Sequence, residues 1–288
     1  MATVALLGIP LNSDSDYGFG EPKQFFTPAG TDKPRKDLES LLLKANSQLH
    51  IVDLGELLTP TLSWHITEQD YNALGLKVRE LLASGKEADV VLAIGGDHSA
   101  AFPFYNLPGH VVRADAHGDV YPNPPFSPSQ LNGATYMSHV SKQGLKRPED
   151  VWNVGVQRVT TQEYRDRDIF GGHLTVAGVL RMPTVPEIGF FDIDTDVLSE
   201  KYGLPHGYST SNLTVKDLTA LVIRLKPRIV GLFECVRVDR SYSRFIPGNI
   251  FSDYANVFGP ICKAVAELAV ARSLTNQQNP QASSVTYH

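Results

Sequence analysis

Three short segments of this sequence gather side chains that can hold or move charge: Gly95-Gly96-Asp97-His98-Ser99, Asp115-Ala116-His117-Gly118-Asp119 and Asp192-Ile193-Asp194. On an extended backbone alternate side chains share a side, so Asp115, His117 and Asp119 project together, as do Asp192 and Asp194. Brought into one crevice, four carboxylates (Asp115, Asp119, Asp192, Asp194) and two imidazoles (His98, His117) would repel one another without counterions. Two divalent cations carry the charge that balances four carboxylates. Mixed oxygen and imidazole donors suit Mn²⁺ better than a thiolate-seeking metal, and neither Cys235 nor Cys262 lies in these segments. Alone, Gly-Gly-Asp-His is a common turn and Asp-x-Asp a common solvated one. The chemistry rests on all three occurring together.

Each segment ends a short apolar run. The strand candidates are residues 4–9, 50–54, 89–94, 110–114, 151–156, 188–193 and 228–233, most of them nearly continuous in apolar residues. That is the pattern of a parallel sheet covered on both faces. Amphipathic stretches lie between them: Asp32 precedes Pro34 and a leucine stripe, and Thr67/Asp70 and Thr214/Asp217 have the spacing of a helix cap followed by an acid. The alternation predicts one doubly wound α/β domain, with ligands gathering at the carboxyl ends of its strands. Residues 121–130 hold four prolines and read as a loop. Residues 1–274 read as a single catalytic domain, and 275–288, rich in Asn, Gln, Pro and Ser, as a polar tail.

Composition narrows the rest. The chain has 288 residues, 42% of them hydrophobic, enough for one large core. Net charge is -5 with no like-charge block, so the clustered basic face of a nucleic-acid binder is missing. No run is long and apolar enough for a membrane span. The N-terminus lacks a basic signal-peptide start, and two cysteines make no disulfide framework. The expectation is a cytoplasmic protein that works on a small molecule or peptide, without nucleic acid or membrane.

The three segments, in order and spacing, resemble the signatures of the arginase (ureohydrolase) superfamily. The resemblance runs from Val4 to about Ala271. It implies a three-layer αβα fold around a mainly parallel eight-stranded sheet, with two Mn²⁺ per chain. By that resemblance His98 and Asp119 hold one ion, His117 and Asp194 the other, and Asp115 and Asp192 bridge both. Activated water would then attack the planar carbon of a guanidino group, with Asp119 carrying the proton to the leaving amine. Members of this superfamily often form homo-oligomers, which is an open expectation here.

Departures from the family pattern bear on the substrate. Where free-arginine enzymes hold the α-carboxylate, this chain has Tyr121 and, approximately, Pro128; where they meet the α-ammonium, it has Arg158 and Thr160. The family's His-Gly reads Asn132-Gly133, which leaves Asn132 as a substrate-side residue and His139, farther along, as the replacement proton carrier. At the family's guanidinium-binding glutamate, ungapped alignment places Arg237; Glu234, at the strand end, is the acid that could take over that role. Asp196 stands one residue before the family's third aspartate. The reading that follows is a manganese hydrolase converting arginine within a peptide to ornithine, with release of urea. The alternatives are an agmatinase- or formimidoylglutamase-like enzyme of small guanidino or formimino compounds, whose anionic end Arg237 or Arg158 could meet, and a catalytically silent arginase-like binding protein.

Overall fold

The computed structural model describes residues 1–9, 31–57, 68–84, 88–96, 98–120, 131, 133, 135–155, 172–198, 213–234 and 250–278. Eight strands form one sheet: β1 (Thr3–Ile9), β2 (His50–Glu56), β3 (Val90–Gly95), β4 (His110–Ala114), β5 (Val151–Val154), β6 (His173–Leu174), β7 (Ile188–Asp194) and β8 (Ile229–Phe233). Their order is β2-β1-β3-β8-β7-β4-β5-β6, and every pairing is parallel. The six described α-helices are α1 (Asp32–Ala45), α2 (Glu68–Ser84), α3 (Tyr136–Lys142), α4 (Val176–Arg181), α5 (Val215–Leu225) and α6 (Ile250–Gln278).

The apolar runs explain the layering. Alternate strand residues point to opposite faces, and both faces are buried. Val4, Leu6, Leu92, Ile94, Val112 and Leu232 pack under α1, α5 and α6, whereas Ala5, Leu7, Val91, Ala93, Val111 and Phe233 pack under α2, α3 and a 3-10 segment, His98–Asn106. The expected αβα arrangement around eight parallel strands is what the chain forms. All seven expected strands occur, with ends shifted by one or two residues. The eighth, β6, is two residues at the sheet edge and carries no apolar run that would announce it. At α5 the expected cap is present: Thr214 Oγ1 accepts from the Asp217 amide at 3.1 Å, while the Asp217 carboxylate accepts from the Thr214 amide at 2.8 Å. Helix α6 runs through Gln278, past the position where a polar tail was expected to begin.

Register is what matters for function. Across the four central strands Ile94, Leu232, Ile193 and Ala114 stand side by side, a continuous apolar row just below the carboxyl edge. The next level up carries Gly95, Phe233, Asp194 and then Asp115. Gly95 is required there by space: a Cβ would come within 2.4 Å of the Phe233 ring and 2.8 Å of Ala100 Cβ. Both neighbours are fully buried, so neither can yield. Gly95→Ala should therefore cost about 1–3 kcal/mol, the usual penalty of overpacking a filled core. Chemical denaturation reads this as a lower midpoint at unchanged slope, and an unchanged midpoint would contradict the packing.

Candidate metal centre

The carboxyl edges of β3, β8, β7 and β4 each deliver part of one buried cluster. His98 follows β3 on the 3-10 segment, Glu234 follows β8, Asp194 ends β7, and Asp115, His117 and Asp119 follow β4. Asp119 and Glu234 both adopt positive φ, 52° in each case. For residues with a Cβ this left-handed conformation costs about 1–2 kcal/mol, and such positions concentrate at functional sites.

His98 is the centre of the cluster. Its Nδ1 lies 2.9 Å from an Asp115 oxygen, 3.0 Å from Asp119 and 2.9 Å from Asp194, yet makes no directed hydrogen bond. One nitrogen and three carboxylate oxygens, all buried, lie close enough together to serve a divalent ion as ligands. His98, Asp115, Asp119 and Asp194 offer ligand atoms within 4.8 Å of one another. That spacing matches atoms on opposite sides of a divalent ion at about 2.1–2.4 Å. A second group, Asp115, His117 and Asp196, shares Asp115 with the first, and a third joins Asp194, Asp196 and Glu234. The donors are carboxylate oxygens and imidazole nitrogens, so the residues present fit a pair of divalent ions such as Mn²⁺.

The expected ligands divide as follows. His98, Asp115, His117, Asp119 and Asp194 come together in these groups, whereas Asp192 enters none of them among the described residues. The register explains this. Asp192 pairs with Arg113 across β7 and β4, one pleat repeat below the level of Asp115 and Asp194. From there its carboxylate meets the far side of His98, accepting from Nε2 at 3.0 Å, and accepts from the hydroxyls of Tyr105 at 2.7 Å and Tyr136 at 3.1 Å. Asp196 lies 2.6 Å from His117 Nδ1 and accepts from the Ala116 amide at 3.2 Å. The chain contains two overlapping Asp-x-Asp pairs, and among the described residues Asp194 and Asp196 are the two that enter the candidate ligand groups. Arg113 and Tyr136 also escaped sequence reasoning. The signal for Arg113 was a cation inside an otherwise apolar strand. His139 is buried on α3, one helical turn beyond Tyr136, and belongs to none of the ligand groups. Asn132 and Arg237, and with them Tyr121, Pro128, Arg158 and Thr160, lie outside the described residues.

The charges here are strongly coupled. Burial disfavours ionised Asp115, but Arg113 and His98 hold it well below the usual carboxylate range. Burial, with Asp115 alongside, raises Asp119 to about 6, and burial with Asp196 raises Asp194 well above its ordinary value. Burial also opposes a charged His117, yet its hydrogen bond to Asp196 and that carboxylate's charge raise it to about 10. His98 is likewise raised, with Tyr136, Asp192 and Asp194 overcoming burial.

The comparisons with known proteins agree with this geometry. A profile described as Arginase family matches residues 2–183. No curated protein matches the chain. Among solved structures, the agmatine ureohydrolase of Thermoplasma volcanium superposes with a TM-score of 0.64 at 16% identity, covering 94% of this chain and 92% of that one. The formiminoglutamase of Trypanosoma cruzi, crystallised with Mn²⁺, gives 0.63 at 17% identity, covering 93% and 94%. Arginase from Bacillus cereus gives 0.59 at 14% identity, covering 93% and 98%. At such identities the likeness establishes the fold. Among the described residues, no helix is long and apolar enough to cross a membrane.

A pH dependence follows from His117. Its folded value of about 10 lies above the ordinary 6.5, so the protonated imidazole stabilises the metal-free fold fully below 6.5. That contribution is lost as pH rises through about 10. A cation must displace the same proton, so its apparent affinity should climb about tenfold per pH unit over this window for each proton released. Thermal melts in chelator should fall across it while calorimetric Mn²⁺ affinity rises. Melting temperatures that increase over the window would contradict a charged His117.

Proposed function

Because the chain belongs to the arginase family, we propose that it is a divalent-metal hydrolase cleaving a C–N bond of a guanidino group, with arginine inside a peptide as its substrate and ornithine and urea as products. The observation that carries the hydrolase reading is His98 Nδ1 surrounded by three buried carboxylates without a directed hydrogen bond. In this reading His98, Asp115, His117, Asp119, Asp194 and Asp196 would hold two Mn²⁺, Asp115 and Asp194 each belonging to two of the ligand groups. When bound, the ions would supply Lewis acidity and activate water.

The chain's own residues do the remaining work. Asp192 fixes the His98 ring by accepting its Nε2 proton, which leaves the Nδ1 lone pair facing the ligand cluster. Glu234, half-exposed beside Asp194 and Asp196, is the carboxylate placed to receive a guanidinium. Asp119, which lies in the cluster beside His98 and Asp115, is the group that would carry a proton to the departing amine, the role the family resemblance implies for it. The peptide substrate is argued from Tyr121, Pro128 and Thr160, none of which supplies a carboxylate to a free α-ammonium. A second reading, a small guanidino or formimino substrate, is favoured by Arg237, whose charge suits an anionic end and not a guanidinium. The formiminoglutamase among the structural neighbours, whose substrate carries carboxylates, fits it too.

Two experiments test these assignments. Asp194→Ala should lose both ions by elemental analysis, whereas Asp192→Asn should still fill at saturating Mn²⁺ with affinity or activity lowered about 10–100-fold, as for partners of ligating histidines. The reverse pattern would return the bridging role to Asp192. For the substrate, each lost charge-assisted hydrogen bond is worth roughly 1.5–3 kcal/mol. Free arginine should therefore trail a peptide-bound arginine by about a hundredfold in kcat/KM. Mass spectrometry should show converted peptides lighter by CH₂N₂, with urea in equal amount. Faster turnover of free arginine, agmatine or formiminoglutamate than of an arginine-peptide panel would overturn the peptide reading.

A further inference from the structure

Arg113 is 1% exposed, in the middle of the sheet and two residues before Asp115 on the same face of β4. A buried guanidinium must find acceptors for its fork of donors. Nε donates to the Tyr136 hydroxyl at 2.8 Å and Nη1 to the His117 carbonyl at 2.8 Å, and the ring of Tyr136 lies 5.6 Å from its central carbon. Nη2 donates to Oδ2 of both Asp115 and Asp119. These are the same two oxygens that lie within 3.0 Å of His98 Nδ1. The guanidinium thus grips, from below, the atoms that would face an ion from above.

Packing alone does not require a cation here. Val111, Val112 and Ala114, its strand neighbours, are all apolar and buried. What requires one is the concentration of Asp115, Asp119, Asp194 and Asp196 at a single buried edge, where carboxylates this close repel by far more than thermal energy. Arginine meets that need better than lysine would. Its planar fork reaches two carboxylates, a hydroxyl and a carbonyl together, and it stays charged when buried.

We propose that Arg113 is a resident counter-cation of the metal centre: it holds Asp115 and Asp119 in ligand position and lets the chain fold before any ion is present, and its charge moderates the affinity for the ion those carboxylates take. The second half rests on the reading of the site as a divalent-ion centre; the first half does not. Arg113 acts through the two carboxylates, as a positioning residue. Removing it should make folding dependent on metal and metal binding tighter, whereas loss of an ordinary packing residue would lower stability equally with and without metal.

The test compares native protein, Arg113→Met and Arg113→Lys by thermal melts in chelator and in saturating Mn²⁺, with Mn²⁺ affinity measured by chelator competition at one pH. Arg113→Met should melt at least about 5 °C lower relative to native in chelator than it does in Mn²⁺, in line with the cost of stripping the partner from buried charges. It should also bind Mn²⁺ at least about tenfold more tightly, as expected when a like charge leaves the site. Arg113→Lys, which keeps the charge and loses the fork, should fall between the two. Equal losses in chelator and in Mn²⁺, or weaker Mn²⁺ binding by the Met variant, would overturn the proposal. Should Arg113→Met fail to fold in both conditions, the Lys variant decides by the same criterion, with equal losses again overturning it. Native protein that takes up no Mn²⁺ would defeat the divalent-ion reading instead, and the melts in chelator would still judge the folding role.

Discussion

Burying several carboxylates at one point is the constraint around which this molecule is organised. Asp115, Asp119, Asp194 and Asp196 converge at the edge of a sheet whose two faces are closed by apolar cores. Ionised carboxylates in such a setting need positive charge within contact distance, or they take up protons. The chain uses both responses. Arg113 and His98 hold Asp115 ionised, while Asp119 and Asp194 are pushed toward the protonated form. A divalent ion would balance the same charge more fully.

The scaffold makes the cluster by aligning levels. Four adjacent parallel strands end together, and the apolar row of Ile94, Leu232, Ile193 and Ala114 closes the core just beneath the charged level. Below Asp115 and Asp194 sits a second polar level, in which Arg113, Tyr136, Tyr105 and Asp192 are linked by hydrogen bonds. His98 joins the two levels, one ring nitrogen facing the carboxylates and the other Asp192 and Tyr136. A ring held at both ends keeps one orientation, as a ligating imidazole requires. The aromatic packing of Phe233 on His98, at 5.9 Å between centroids, adds a third restraint.

Family membership and substrate choice rest on different parts of this structure. The carboxylate cluster stands at the strand ends, and the family match spans residues 2–183, which include His98, Asp115, His117 and Asp119. The structural neighbours include an agmatine ureohydrolase, a formiminoglutamase and an arginase on one scaffold. That diversity is what a rigid centre with variable surrounding segments produces.

Much of this was legible in the residues themselves. The αβα architecture follows from seven near-continuous apolar runs, and four of the cluster residues, Asp115, His117, Asp119 and Asp194, lie where period-two alternation at strand ends had marked them, because both signals are local. The helix start at Thr214 was legible for the same reason: a cap and its acid are three residues apart. Which aspartates share a level was not. Asp192, Asp194 and Asp196 have the same local spacing, and the pairing of β7 with β4, which sets Asp192 beside Arg113 one pleat repeat below Asp194, is what tells the first from the others. The partnership of Arg113 with Asp119, Tyr136 and His98 is likewise invisible to any local pattern. It joins a strand, the loop after it, a helix and a 3-10 segment. Periodicity along the chain decided which side chains face the site; register between strands, a long-range property fixed by the packing of both cores, decided how deep each one stands and therefore whether it enters the carboxylate cluster or supports it from below.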